Sequence, residues 1–212
     1  MTEISNKINS FSHRGQDIIA LSWLRKIGFL NKVAVEFGAR NGFQQSNIRM
    51  FEKLNWKLYQ WDKFFQNKFV NKESITAENI NQIFEKYEVP KQFDFLSIDI
   101  DSNDYWVWKA LNYEANLVLI EYNPNFSIDK SVALKYDPNR VWKKNVAFSA
   151  SFSAMVKLGE EKGYIPVDHL GHDILFLKKS FLKDDEIKNI NINPDLPKKI
   201  HNQSGYDQFV EV

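Results

Sequence analysis

The sequence predicts a doubly wound, mostly parallel α/β sheet with helices on both faces, and three observations predict it. Short runs of β-branched and aromatic residues alternate with stretches whose apolar residues recur at helical spacing. The first of these runs, Val33-Ala34-Val35, is apolar at successive positions, as suits a strand covered on both faces. Acidic residues recur at the ends of the first, second, fourth and fifth runs, at Glu36, Asp62, Asp99 to Asp101 and Glu121. That is the edge at which open α/β sheets bind their ligands.

Taken in order, residues 1–12 are polar and suit a loosely held arm without the apolar stretch of a secretory signal. Ile18, Leu21, Leu24 and Ile27 give a helix over 16–30, with Gly28 near its end. The first strand covers 33–37. A turn bounded by Gly38 and Gly42 follows, and Ile48, Phe51 and Leu54 give helical spacing over 44–54. Glycine at both ends of this turn permits positive φ and a close backbone approach to a ligand. The second strand, 57–61, ends in Asp62, and the third lies near 69–71. Over 74–87 the face Ile80, Ile83, Phe84 and Tyr87 predicts a helix that Ser74 or Thr76 can cap.

The fourth strand, 93–98, runs into Asp99-Ile100-Asp101. The helix after it, capped by Ser102 or Asn103, buries Trp106, Val107, Ala110 and Leu111. The fifth strand, 117–120, leads to Glu121-Tyr122-Asn123. Residues 124–148 have little periodicity, and a loop of that length in a compact domain suits a functional lid. A last helix over 151–162 stops at Gly163, and strands at 164–167 and 174–177 flank a turn at Gly171. Beyond Leu182 the chain turns polar and is punctuated by Pro194 and Pro197. The expected division is therefore one α/β domain over 1–182 and a polar C-terminal appendage over 183–212.

Composition narrows the function classes. Hydrophobic residues make up 43% of the 212 and aromatics 15%, a globular balance. A net charge of +1 gives no electrostatic footprint for nucleic acid or an anionic membrane. Without cysteine there is no disulfide, thiolate nucleophile or thiolate-bound zinc. No apolar run is long enough to span a bilayer, so a cytoplasmic protein is the default expectation. No sequence feature specifies an oligomeric state.

The glycine turn is compared with three nucleotide-binding patterns. The run G-x-x-x-x-G-K-[ST] is absent. G-x-G-x-x-G started at Gly38 fails at Arg40 and again at Phe43. Glu36-x-Gly38-x-x-x-Gly42, in contrast, resembles the first motif of class I S-adenosylmethionine-dependent methyltransferases. Asp62 follows Gly42 by 20 residues (62 − 42), where that family keeps an acid for the ribose hydroxyls.

The resemblance extends to an FkbM-like branch through Gly15-Gln16-Asp17, Ser46-Asn47, Thr76-Ala77-Glu78-Asn79-Ile80-Asn81, the run from Phe95 to Trp106, and Ile120-Glu121-Tyr122-Asn123. It covers about residues 12–180. It implies strand order 3-2-1-4-5-7-6 with the last strand antiparallel, and S-adenosyl-L-methionine as cofactor. The implied cofactor contacts are Glu36, Gly38, Asn41, Gly42 and Asp62, with Ser74 and Ile75 at the adenine edge. Two positions depart from the family pattern: Arg40 stands where many members have glycine, and Ser102 where the aspartate motif has glycine.

Methyl transfer from a sulfonium is an in-line displacement, so positioning and a nearby base matter most. Asp99, Asp101, Glu121 and Asn123 are the expected catalytic group, converging beside the methyl group. A hard cation such as Mg²⁺ among these oxygens is the lesser alternative, and no metal ligand is assigned. His169 and His172 form H-x-x-H without a third ligand nearby. Lys135, Arg140, Lys143 and Lys144 lie among the aromatics of 124–148 and suit an anionic or sugar-containing acceptor. By resemblance the expected activity is O-methylation of a small or glycan-linked hydroxyl. A nucleotide-sugar-using α/β enzyme and a non-catalytic binding module on the same fold are the rivals.

Overall fold

A computed structural model describes residues 9–212. Helix α1 (Gln16–Ile27) leads into β1 (Val33–Phe37), the short α2 (Arg49–Glu52) and β2 (Lys57–Asp62). Then come β3 (Asn71–Lys72), α3 (Ile80–Lys86), β4 (Gln92–Ile98), α4 (Asp104–Ala110) and β5 (Glu114–Glu121). Strand β6 (Val132–Leu134), α5 (Phe152–Glu161), β7 (Tyr164–Leu170), β8 (Asp173–Lys178), α6 (Asp184–Asn189) and β9 (Phe209–Glu211) complete the chain.

Seven strands form one sheet in the order β3-β2-β1-β4-β5-β8-β7. The expected order is borne out once β6, which lies outside this sheet, is counted. β1 pairs in parallel with β2 and β4, and β4 with β5, while β8 runs antiparallel to both β5 and β7. Successive side chains of a strand point to opposite faces, and the buried residues divide accordingly. Val35, Phe37, Leu96, Ile98, Val118 and Ile120 pack with Phe84 of α3, Trp108 of α4 and Met155 of α5. Ala34, Phe95, Leu117 and Leu119 pack on the other face with Leu21 and Leu24 of α1 and with Met50 and Phe51. Among the described residues no helix is long and apolar enough to cross a membrane.

Three elements differ from expectation. The helix over 44–54 shortens to α2, because Ser46 and the backbone of Asn47 turn inward to bind Glu36. The helix over 74–87 is regular only from Ile80. Ahead of it Thr76 and Asn79 exchange bonds: the Thr76 N–H donates to Asn79 Oδ1 at 2.8 Å and the Asn79 N–H to Thr76 Oγ1 at 3.3 Å. This is the reciprocal arrangement of a capping box. The third is the long segment 124–148, which holds β6, paired antiparallel with β9.

The segment 183–212 runs back along 124–148. Lys198 N donates to the Pro124 carbonyl at 2.7 Å, Val146 N to that of Asn202 at 3.1 Å, and Val212 N to that of Ser131 at 3.0 Å.

Candidate functional site

The turn after β1 is built around two close approaches. Gly38 has φ +71°, and a Cβ there would sit 1.6 Å from the Asp99 carbonyl oxygen, so only glycine lets the ends of β1 and β4 come this near. Gly42, at φ +79°, is closed in by protein: a Cβ would lie 2.7 Å from Val70 Cγ2 and 3.2 Å from Arg49 Nη2. Between them Arg40 takes φ +49°, a left-handed conformation that glycine adopts more readily than arginine. Its N–H donates to Asp62 Oδ2 at 2.8 Å and its guanidinium to Gln45 Oε1 at 2.5 Å.

Glu36 lies beneath the turn, 3% exposed. Its carboxylate accepts from Ser46 Oγ at 2.7 Å, Asn47 N at 2.6 Å and Gln60 Nε2 at 2.7 Å. Burial raises its pKa, and these three bonds oppose the rise. Asp62, at the end of β2, accepts from Phe64 N and Phe65 N as well as Arg40 N. A carboxylate has about four acceptor positions, so one is left on Oδ2 for a ligand.

A cavity of about 540 Å³ opens at this carboxyl edge, a size suited to a small-molecule ligand. Its lining includes Gly38, Arg40, Asn41, Trp61, Asp62, Phe64, Phe65, Ser74, Ile75, Asp99, Asp101 and Asn103, closed on one side by Pro138, Arg140, Val141 and Trp142. Asn41 uses Oδ1 for the N–H groups of Phe43 and Gln44. Phe64 is 67% exposed at the rim and Val141 57%.

Asp99, Asp101 and Glu121 each bring a carboxylate oxygen to one place, all within 4.8 Å of one another. Among the described residues this is the one cluster of His, Asp or Glu side chains that could gather around a metal ion. No protein donor hydrogen-bonds these carboxylates among the described residues, and Glu121 Oε2 is buried without a partner. Burial, then the neighbouring Asp101, Asp173 and Asp104, hold Asp99 well above the usual carboxylate range. Glu121 is raised likewise, by burial first and then by Asp99. Asp101 takes φ +57°; burial raises its pKa and Arg40 opposes the rise.

Behind them, Asp104 accepts from Ile100 N at 2.8 Å and Ser102 N at 3.1 Å, closing the loop into α4. Burial pushes its carboxyl up to about 6. The expected side-chain cap from Ser102 or Asn103 is absent; Asp104 itself fastens this loop. Ser102, where a glycine was expected, donates from Oγ to the Ile100 carbonyl at 3.1 Å.

Of the residues singled out from sequence, Gly38, Asn41, Asp62, Ser74, Ile75, Asp99 and Asp101 line the cavity together. Glu36 and Gly42 support its floor from within the fold. Glu121 stands against Asp99 and Asp101 but outside the lining. Asn123 is fully buried outside the lining and donates to the carbonyls of Val146 at 2.7 Å and Phe148 at 2.8 Å, a structural role in place of the expected catalytic one. His169 and His172 belong to no metal-ligand cluster among the described residues. Burial lowers the pKa of His172.

Sequence reasoning missed Asp173, whose carboxyl is pushed up to about 6 by burial and accepts from Gln16 Nε2 at 2.8 Å. The Gly15-Gln16-Asp17 run was a signal for it. Phe64 and Phe65 have no local pattern that marks them as lining, while Arg140, expected to face an anionic or sugar-containing acceptor, does line the cavity.

No protein-family model matches the chain, and no curated protein matches it. Among solved structures it is similar to an S-adenosylmethionine-dependent methyltransferase from Clostridium acetobutylicum ATCC 824, at 9% identity and a TM-score of 0.45, over 76% of this chain and 89% of that one. A SAM-dependent methyltransferase from Aquifex aeolicus matches at 12% identity and a TM-score of 0.40, over 75% and 89%. The methyltransferase MycE of the mycinamycin biosynthetic pathway, in complex with Mg and SAH, matches at 12% identity and a TM-score of 0.40, over 77% of this chain and 47% of that one. Likenesses this distant leave the chemistry to be argued from the residues of this chain.

Proposed function

We propose that the chain is an S-adenosylmethionine-dependent methyltransferase of an FkbM-like branch, directed to a hydroxyl of a small or glycan-linked acceptor. The observation that carries the reading is one cavity lined by the Gly38 turn, by Asp62 and by the Asp99–Asp101 pair. Those are the three strand ends that a cofactor with an amino acid, a ribose and a reacting sulfur would need along its length. S-adenosylmethionine, when bound, supplies a methyl group on a positively charged sulfur.

The residues suit such a molecule. A Cβ at Gly38 would fill the cradle between β1 and β4. The free acceptor position of Asp62 suits a ribose hydroxyl. Ser74 and Ile75, which line the cavity together with Phe64 and Phe65, suit a planar base. Asn41 keeps its amide N–H groups for the cofactor's polar end, while Glu36 and Gly42 shape the turn that presents it. The carboxylates of Asp99 and Asp101, with Glu121 behind them, supply negative potential where the sulfur's positive charge would lie.

Asp99 is the base in this reading. Its carboxylate is held above the usual range by burial and like charge, so its proton affinity is closer to that of a base poised near neutral pH. It takes the proton of the acceptor hydroxyl as the oxygen attacks. Asp101 orients the hydroxyl, Glu121 tunes Asp99 through their close approach, and Asn123 fastens the 146–148 backbone behind the site. The three carboxylates could also gather a cation, but the reading requires none.

Isothermal calorimetry with S-adenosylhomocysteine tests the proposal. Binding is expected, about tenfold weaker in Asp62→Ala, which amounts to about 1.4 kcal/mol. No heat with either S-adenosylmethionine or S-adenosylhomocysteine would overturn it.

A further inference from the structure

A second cavity of about 330 Å³ lies beside the first, and both have Arg140 and Val141 in their linings. The second is also lined by Asp137, Lys143, Asn145 and Gln208. Arg140 is the joint between them, and its charge is poorly matched inside the protein. One end of its guanidinium donates to Gln208 Oε1 at 2.6 Å and the other to the Lys135 carbonyl at 3.4 Å. Both acceptors are neutral. Its Nε is buried without a partner. Among the described residues neither Arg140 nor Lys143 forms an ion pair. Asp137 is the acid of this cavity, and its Oδ1 accepts from Asn139 N at 3.0 Å.

A partly buried guanidinium held by neutral acceptors is completed best by an acidic group, which it recognises through paired N–H donors. We propose that the smaller cavity is an anchoring subsite for a phosphate or carboxylate on a small acceptor, bound by Arg140 with Lys143 beside it. The acceptor would extend past Val141, bringing its hydroxyl toward Asp99 and Asp101. That last step rests on the methyltransferase reading; the anion site does not. Gln208, from the C-terminal segment, is the positioning residue that holds the guanidinium at the junction.

The test uses the full chain without cofactor, titrated by NMR with glucose 1-phosphate, glucuronate and glucose. At least one charged probe is expected to bind, with shifts in the Arg140 and Trp142 side-chain signals, at least tenfold more tightly than glucose. Binding of glucose 1-phosphate alone assigns the group as phosphate, and of glucuronate alone as carboxylate. Arg140→Gln should weaken the bound probe at least tenfold. Gln208→Glu keeps the size of the side chain but gives Arg140 an internal counter-charge, and should weaken the probe similarly. Lys143→Gln, at an exposed position, should weaken it two- to fivefold.

Equal binding of glucose, no binding of either charged probe, or charged-probe affinities unchanged in all three variants would overturn the subsite. A S-adenosylhomocysteine titration of the same sample separates the two proposals. Anion binding without cofactor binding removes the methyltransferase reading alone, and the reverse removes the subsite alone.

Discussion

The carboxylates along this cavity fall into two groups. Toward β1 and β2, Glu36 and Asp62 each accept three hydrogen bonds from the protein. Toward β4 and β5, Asp99, Asp101 and Glu121 crowd within 4.8 Å with no protein donor among the described residues. The first pair builds the turn and leaves a single acceptor position for a ligand. The second group is held in place by the backbone, and its mutual repulsion is offset in part by Arg40 rather than by hydrogen bonds. A buried polar group left unsatisfied costs stability, so a site keeps one where it serves a ligand or a reaction. The contrast separates carboxylates that build the turn from carboxylates left open to a ligand.

Substitutions can break this contrast directly. The largest stability loss is expected at Gly38→Ala, where a Cβ meets the Asp99 carbonyl and the backbone has positive φ. That variant should lose about 5 kcal/mol or fail to fold, read by urea denaturation. Asp99→Asn removes the proposed base and should lower turnover about 10²- to 10⁴-fold while leaving S-adenosylhomocysteine affinity nearly unchanged. Full residual activity would remove Asp99 from the reaction. Glu36→Ala leaves three donors without their acceptor and should cost about 3 kcal/mol. Asp101→Ala removes a carboxylate with no protein partner and should change stability by less than about 1 kcal/mol. Equal losses at Glu36 and Asp101 would erase the distinction between the two groups.

Much of the architecture was legible because buried strands leave apolar runs, as at Val33–Val35 and Phe93–Ile98, and each run turned out to be a strand of the sheet. The segment over 44–54 misled because its apolar spacing is helical while Ser46 and Asn47 answer a tertiary demand from Glu36. The β6–β9 pair was not legible. Its two strands, Val132–Leu134 and Phe209–Glu211, are too short to show alternation, and their pairing joins distant parts of the chain. In the site, residues at strand ends could be named from sequence because topology fixes where those ends go. Phe64 and Phe65 could not, since only the folded loops bring them to the cavity, whereas Arg140 was marked as a cation for an acceptor without its place at the junction of two cavities. The same holds for Glu36 and Asn123: sequence put them beside the ligand, but not on which side of the cavity wall their side chains are bound.

The pH dependence of stability gives the most specific test of the carboxylate cluster. Burial raises Asp104 and Asp173 to about 6 and holds Asp99 and Glu121 well above the ordinary range. A raised acid binds its proton more tightly in the folded chain than in the unfolded one. Between the unfolded value near 4 and the folded value, the native state therefore carries more protons, and stability falls as pH rises. Several surface acids shift the opposite way, Glu73 and Glu114 among them, through lysine partners. They contribute little, because exposed pairs are weak. Burial of His172 works against the trend in the same window, but one histidine faces four raised acids, so the melting temperature should decline from pH 5 to pH 7.5 as the cluster ionises. Glu121→Gln removes one of the mutually repelling charges and keeps the side chain's shape. It should raise stability at pH 7.5 by about 1 kcal/mol, the usual gain from relieving a strained functional position, and flatten the decline. An unchanged pH profile in that variant would mean that Glu121 meets a counter-charge in solution, and the β4–β5 end of the pocket would then be as satisfied as the β1–β2 end.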